Sequence, residues 1–150
     1  MVENLILGVV VMTLCLVIQC VVVAILLLAL LRLEKRGTIP DRLIGVSVLL
    51  AVFALIMMGG TLVQAAVWAA VFLARAEFAD FATAFYHSLV NFATLGYGDI
   101  VMSERGRLLG ALEATNGVLM FGLTTGVLYS VFSALLHRVW DAKHGVSEAR

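Results

Sequence analysis

The sequence predicts an all-α membrane protein with three transmembrane helices and one short helix that enters the membrane without crossing it. Two observations predict this class. Of the 150 residues, 63% are hydrophobic and 13% are charged, and a soluble domain of this size could not bury so much apolar surface. The apolar residues also fall into three long runs and one short run. Ten basic and ten acidic residues cancel, so the net charge indicates no nucleic-acid partner.

The three long runs span residues 5–31, 43–73 and 108–136. Each exceeds the roughly 20 residues that cross a bilayer as a helix. Helix is the expected form because backbone polar groups in lipid need internal partners. The first run is too long for the core of a cleaved signal peptide, and Glu3 precedes it instead of a basic cluster. It carries no arginine ladder, so we do not expect a voltage sensor.

The short run, residues 82–93, is too short to cross a bilayer and is followed by Gly96 and Gly98. Non-helical backbone at membrane depth is tolerated only where protein or water covers it. We therefore expect a re-entrant segment, in which a helix enters the membrane and an irregular stretch returns to the same side.

The basic residues predict the orientation, because cytoplasmic loops are enriched in Lys and Arg. Seven of the ten fall on one side of the predicted spans: Arg32, Lys35, Arg36, Arg42, Arg138, Lys143 and Arg150. The other three lie on the side of the re-entrant segment: Arg75, Arg105 and Arg107. We therefore expect the N-terminus outside and the C-terminus in the cytoplasm.

The irregular stretch reads Thr94-Leu95-Gly96-Tyr97-Gly98-Asp99. It resembles the selectivity filter of potassium channels, whose usual form is TVGYGD. Residues 117–125 are similar to the inner helix of small prokaryotic potassium channels of the two-transmembrane pore-loop family, to which this chain adds an N-terminal helix. Glycine reaches positive φ at little steric cost, so the two glycines allow a backbone of alternating handedness that turns successive carbonyls to one side.

The resemblance implies a homotetramer, because one chain supplies one loop and four loops close a ring of carbonyls that replaces the hydration shell of K⁺. The carbonyls implied to bind K⁺ belong to Thr94, Leu95, Gly96 and Tyr97, and Gly98 completes the filter. The residues implied to support the filter are Asp99, Glu113, Tyr86 and His87. The residues implied to face the cavity or gate are Gly117, Val118, Phe121, Thr125 and Tyr129. The remaining expected partners are membrane lipids, and the expected location is a bacterial plasma membrane.

The chain departs from the family pattern near the filter. Ala93 stands in place of the first threonine of a common pair, Leu95 in place of valine, and Val90 where some channels carry a pore-helix glutamate. The pair Tyr86-His87 occupies the place of aromatic residues that support the filter tyrosine. No departure removes a carbonyl, so we expect selectivity to survive and the stability of the filter to differ.

Glu113 is the only charged residue within the third run. A carboxyl group facing lipid at that depth would be costly, and Glu113 lies on the same side of the helix as Gly117. We therefore expect it behind the filter, accepting hydrogen bonds from Ser88, Thr94 or the loop backbone. The alternative is a simple interhelical bond to Asn91 or Asn116. Gly117 itself is expected to act as a hinge or as a close packing contact.

The predicted organisation has three parts. Residues 1–42 form the additional helix, expected to pack against the second helix, and a cytoplasmic loop. Residues 43–137 form the pore domain, with an outer helix 43–74, a pore helix 82–93, the filter 94–99 and an inner helix 107–137. Residues 138–150 form a short tail that is too small for a ligand-binding domain. Gln19 and Gln64 are expected to be interhelical hydrogen-bond partners.

Three other functions remain open. A weakly selective cation channel would share the architecture, and a non-conducting subunit could modify a partner channel. A potassium uptake transporter is disfavoured because such proteins carry four pore loops in one long chain. We expect no enzyme, because no pairing of nucleophile and base and no metal-ligand cluster is evident.

Overall fold

A computed structural model of the protein describes residues 1–40 and 42–144, with side chains as far as Trp140. These residues form four helices: α1 Val2–Lys35, α2 Leu43–Ala74, α3 Phe81–Phe92 and α4 Arg107–His144. The described residues contain no strand. Three of the helices, α1, α2 and α4, are long and apolar enough to cross a membrane, whereas α3 has only 12 residues. The predicted all-α fold class is confirmed.

The boundaries differ from the predicted ones in α3, which begins and ends one residue early, and in α4. Helix α3 begins one residue early because Asp80 caps it, accepting hydrogen bonds from the Thr83 N–H at 2.9 Å and from the Thr83 hydroxyl at 2.7 Å. The Thr83 N–H holds the pKa of Asp80 below its usual range. Helix α4 continues to His144, so the first part of the predicted tail is helical, and residues 145–150 lie outside the described residues.

Helices α1, α2 and α3 end in the same way, with a left-handed residue that reverses the chain. These residues are Gly37 (φ 64°), Ala76 (φ 55°) and Thr94 (φ 58°). In each case the following N–H bonds back into the last turn, as when the Leu95 N–H donates to the Val90 carbonyl at 2.9 Å. This is the Schellman arrangement, which satisfies helix carbonyls that would otherwise have no partner. At the end of α3 it directs the chain into the segment Thr94–Asp99, here named the filter segment.

The additional helix α1 packs against both α2 and α4, so the prediction that placed it against α2 alone was incomplete. Helix α3 also lies against α2 and α4. The apolar core has two parts. One, next to α3, is built from Val11, Cys15, Trp68, Phe72, Phe92, Leu109 and Met120. The other, at the opposite end of the bundle, includes Leu26, Val46, Phe53, Met57, Val131 and Leu135.

A layer of polar side chains joins the three long helices in the middle of the bundle. The Gln64 amide donates to the Gln19 carbonyl oxygen at 2.8 Å, and the Gln19 amide donates to the Thr124 hydroxyl at 2.9 Å. Gln19 and Gln64 are both fully buried. Their predicted role as interhelical partners is confirmed, and we name these three residues the polar triad.

The two ends of α1 are fixed by different contacts. At its start, Glu3 accepts a hydrogen bond from Arg75 at 2.6 Å, and the Asn4 amide donates to the Arg105 carbonyl at 2.6 Å. The start of α1 therefore lies at the same end of the bundle as the loops that flank α3. At its other end, Glu34 pairs with Arg138 at 3.1 Å.

Candidate functional site

The filter segment has an alternating backbone. Positive φ angles occur at Thr94 (58°), Gly96 (56°) and Gly98 (74°), and not at Leu95 or Tyr97. Glycine adopts such angles freely, whereas a β-branched residue such as threonine does so only when its surroundings enforce it. At Thr94 the enforcement comes from the end of α3, because the Thr94 N–H donates to the Asn91 carbonyl at 2.9 Å. The sequence indicated only the two glycines.

The filter segment is exposed in the single chain, and so is one stripe of α4. All six filter residues are exposed. The stripe comprises the residues predicted to face a cavity: Val118, Phe121, Thr125 and Tyr129. The Phe121 ring centroid lies 6.0 Å from that of Phe92, the last residue of α3, so the stripe begins beside the filter segment. These two surfaces form one side of the molecule.

Gly117 is buried where α4 meets the end of α3, next to the exposed stripe. A Cβ atom at this position would collide with the backbone carbonyl of Phe92. The absence of a side chain therefore lets α4 approach the end of α3, which favours the packing role over the hinge role.

Glu113 occupies a fully buried position one turn before Gly117. Its Oε1 is hydrogen-bonded to the Ser88 hydroxyl, and its Oε2 accepts from the Asn91 amide at 2.6 Å. The Asn91 amide also donates to the Gly110 carbonyl at 2.7 Å, and the Ser88 hydroxyl lies 2.7 Å from the Ala65 carbonyl oxygen. Ser88, one of the expected partners, and Asn91, which belongs to the alternative of a simple interhelical bond, thus bind the same carboxyl group. Together these groups connect α2, α3 and α4.

Two side chains of α3 contact Asp99, the last residue of the filter segment, and the residue that follows it. The Tyr86 hydroxyl donates to Asp99 at 2.7 Å, and this bond is the main reason why the pKa of Asp99 lies below its usual range. His87 Nδ1 lies 3.2 Å from the Ile100 carbonyl oxygen, and its ring packs on Phe78 with the centroids 4.8 Å apart. The predicted supporting pair therefore holds the residues that follow the filter glycines.

One contact in this region was not predicted from the sequence. Glu77 accepts hydrogen bonds from the Ser103 N–H and the Ser103 hydroxyl, both at 3.0 Å. It ties the chain that follows the filter segment to the chain that precedes α3. No local pattern could have indicated this pair, because 26 residues separate its members. The cap of α3 by Asp80 could have been found, since aspartate is one of the residues preferred at the N-terminal cap of a helix.

The sequence profile described as ion channel matches residues 43–134, more than half of the chain. The chain belongs to this ion channel family. The matched region contains α2, α3, the filter segment and most of α4, whereas α1 lies outside it. Family membership and three helices long and apolar enough to cross a membrane identify an integral membrane protein of an ion channel family.

Curated relatives of this member of the ion channel family include potassium channels. It is 35% identical over 63 residues to the potassium voltage-gated channel protein Shal of Drosophila melanogaster. It is 33% identical over 63 residues to the A-type voltage-gated potassium channel KCND3 of Rattus norvegicus and of Homo sapiens. These matches cover 41% of this chain but only 11% of Shal and 10% of KCND3, so the chain spans about a tenth of the length of these relatives. No solved structure shows a significant match.

Proposed function

We propose that the protein is a potassium-selective channel in which four copies surround one pore lined by the filter segment. The observation that carries the proposal is the alternating backbone at Thr94, Gly96 and Gly98. Such a backbone presents successive carbonyl oxygens to one side, and carbonyl rings can replace the water shell of K⁺. The potassium-channel names of the relatives support the same ion.

Four copies are proposed because one chain supplies one filter segment, and a ring of carbonyls needs several. In the single chain, Leu95 and Tyr97 of the filter segment are 54% and 66% exposed, and Val118 and Tyr129 of α4 are 60% and 70% exposed. These residues would be covered by neighbouring copies or would line the pore. Cyclic symmetry places the same surface of every copy at one axis.

The proposed orientation puts the filter segment toward the outside of a bacterial plasma membrane. The contact between Glu3 and Arg75 places the start of α1 at the end of the bundle that carries α3, so both would be external. The opposite end carries Arg36 and Arg138, in agreement with a cytoplasmic excess of basic residues.

Ion flux from liposomes that contain only the purified protein tests the proposal. We expect K⁺ to pass far better than Na⁺ and Ba²⁺ to block, because Ba²⁺ is close to K⁺ in size and carries twice the charge. Equal K⁺ and Na⁺ fluxes would identify a weakly selective cation channel, and no flux would favour a modulatory subunit. Chemical crosslinking in detergent provides the matching test of assembly, and products that never exceed a dimer would exclude the tetramer.

A further inference from the structure

Glu113 stands out because it is a fully buried acid within a spanning helix. An ionised carboxylate in such surroundings is unfavourable unless a positive charge or several hydrogen-bond donors compensate it. Among the described residues, no basic side chain pairs with Glu113. Only hydrogen bonds could then compensate an ionised Glu113. The number of protons in the cluster can be compared with the number of hydrogen bonds that its distances require.

The count at Ser88 does not balance for an ionised Glu113. The Ser88 hydroxyl oxygen lies 2.7 Å from the Ala65 carbonyl oxygen and within hydrogen-bonding distance of Glu113 Oε1. A serine hydroxyl has one proton to donate, and a carbonyl has none. If Glu113 were ionised, one of these two oxygen pairs would have no proton between its members.

A neutral Glu113 resolves the count. The Ser88 hydroxyl then donates to the Ala65 carbonyl, and Glu113 Oε1 carries a proton and donates to Ser88, because a hydroxyl oxygen can accept while its proton is donated elsewhere. Glu113 Oε2 remains an acceptor for Asn91. Every group in the cluster is then satisfied.

Asn91 provides a comparison within the same cluster. Its amide nitrogen also lies near two acceptors, Glu113 Oε2 at 2.6 Å and the Gly110 carbonyl at 2.7 Å. An amide nitrogen carries two protons, so both bonds form without any change in Glu113. Ser88 has one proton for two neighbouring oxygens, so the missing proton must be carried by Glu113 Oε1.

The other titratable groups of the packed elements leave this proton in place. From α1, the Cys15 thiol is close enough to interact electrostatically with the carboxyl group. Helix α2 carries no titratable residue between Leu43 and Ala74. On α3, Tyr86 bonds to Asp99 and His87 lies against the Ile100 carbonyl, and neither contacts Glu113.

We propose that Glu113 is a proton-binding site, and that the bound proton joins α4 to α3 and α2 through Ser88. Loss of this proton leaves Glu113 Oε1 and the Ala65 carbonyl competing for the single Ser88 proton. The link between α4 and the helix that leads into the filter segment then weakens. The consequence for conduction rests on the proposed channel function, whereas the presence of the proton does not.

Infrared difference spectroscopy on the assembled protein in lipid tests for the proton directly. At neutral pH, the spectrum of the wild type minus that of Glu113→Gln should contain the carbonyl stretch of a protonated carboxylic acid. The matched control is Glu77→Gln, because the Glu77 carboxylate accepts two hydrogen bonds from Ser103. The spectrum of the wild type minus that of Glu77→Gln should contain a carboxylate band. A carboxylate band in the Glu113→Gln difference would overturn the proposal, whether or not the protein conducts.

A second measurement uses pH. Because the folded state favours neutral Glu113, its contribution to stability is complete in acid, where an unfolded glutamate is also neutral, and declines progressively as the pH rises. We expect the temperature at which the wild-type assembly dissociates to fall on alkalisation by more than that of Glu113→Gln, whose amide can donate to Ser88 and accept from Asn91. Equal pH profiles for the two proteins would contradict the site. If Glu113→Gln does not assemble, the alkaline loss of the acid band in the wild-type infrared spectrum decides the question.

Discussion

The Tyr86 hydroxyl on α3 donates a 2.7 Å hydrogen bond to the Asp99 carboxylate, immediately after the last glycine of the filter segment. Asp99 also accepts from the Ile100 N–H at 3.0 Å. Both bonds favour the ionised carboxylate, which is why the pKa of Asp99 lies below its usual range. The end of the filter segment that carries Asp99 is thus held by a bond that depends on pH.

We therefore predict that, as the external pH is lowered, K⁺ flux through Tyr86→Phe declines at a higher pH than flux through the wild type. The stabilisation by Asp99 is complete above the usual aspartate pKa and is lost as the pH falls through the lowered value. Removal of the Tyr86 hydroxyl raises that value, so the loss begins at a higher pH. Flux measured against external pH checks this. Asp99→Asn alone and combined with Tyr86→Phe should behave alike, and an additive effect of the two changes would contradict a shared bond.

The filter glycines should not tolerate a side chain. Gly96 and Gly98 have φ of 56° and 74°, and a left-handed L-residue costs about 1–2 kcal/mol, repeated in every copy. Gly96→Ala or Gly98→Ala should abolish K⁺-selective flux while the protein remains in the membrane. Gly59→Ala is the matched control, because a Cβ atom there meets open space and the φ is not positive. Normal selectivity in Gly96→Ala would exclude the alternating backbone as its source.

The polar triad should stabilise the contact of α1 with the other helices. Gln19→Leu removes the bonds of Gln19 to Thr124 and Gln64 and leaves the Gln64 amide without its acceptor, which should cost about 1–2 kcal/mol per subunit. Thr13→Val is the control on the same helix, because the Thr13 hydroxyl bonds only to the Val9 carbonyl of its own helix. Unfolding in mixed detergent should show a lower midpoint for Gln19→Leu alone. Equal midpoints would show that α1 is held by apolar packing.

Gly117→Ala should be harmful for a reason unrelated to bending. The added methyl group collides with the backbone carbonyl of Phe92, which cannot turn aside like a flexible side chain, and overpacking of this kind costs about 1–3 kcal/mol. The expected result is reduced thermal stability of the assembled protein relative to Gly59→Ala. If Gly117→Ala were as stable as the wild type and changed only the opening rate, the hinge role would be favoured instead.

Cysteine labelling in intact cells tests the orientation. Val2→Cys, at the start of α1, should react with a membrane-impermeant thiol reagent from outside. Thr38→Cys, in the loop at the opposite end, should react only after lysis. The wild type controls for Cys15 and Cys20, which lie within α1. The reverse pattern would place the filter segment toward the cytoplasm.

The sequence predicted the elements better than their contacts. Three apolar runs were enough to place α1, α2 and α4, and the glycines marked the filter segment. The sequence could not predict which face of α1 contacts the other helices, because a helix that is apolar on every side carries no periodic signal. Gln19 was the exception, since a buried amide needs a partner, but the sequence did not say that Thr124 would be one. The positive φ of Thr94 was also missed, because the end of α3 imposes it rather than the residue itself.

The polar triad also suggests an order of events during biosynthesis. As the chain leaves the ribosome, Gln19 enters the lipid first and has no partner until Gln64 follows it on α2. The α1–α2 hairpin can then close this first bond before α3 has been made, and Thr124 completes the set only when α4 arrives. A pair of packed helices would therefore be in place before the filter segment is made. A defect in α1 should lower the yield of inserted protein before it changes the proposed conduction.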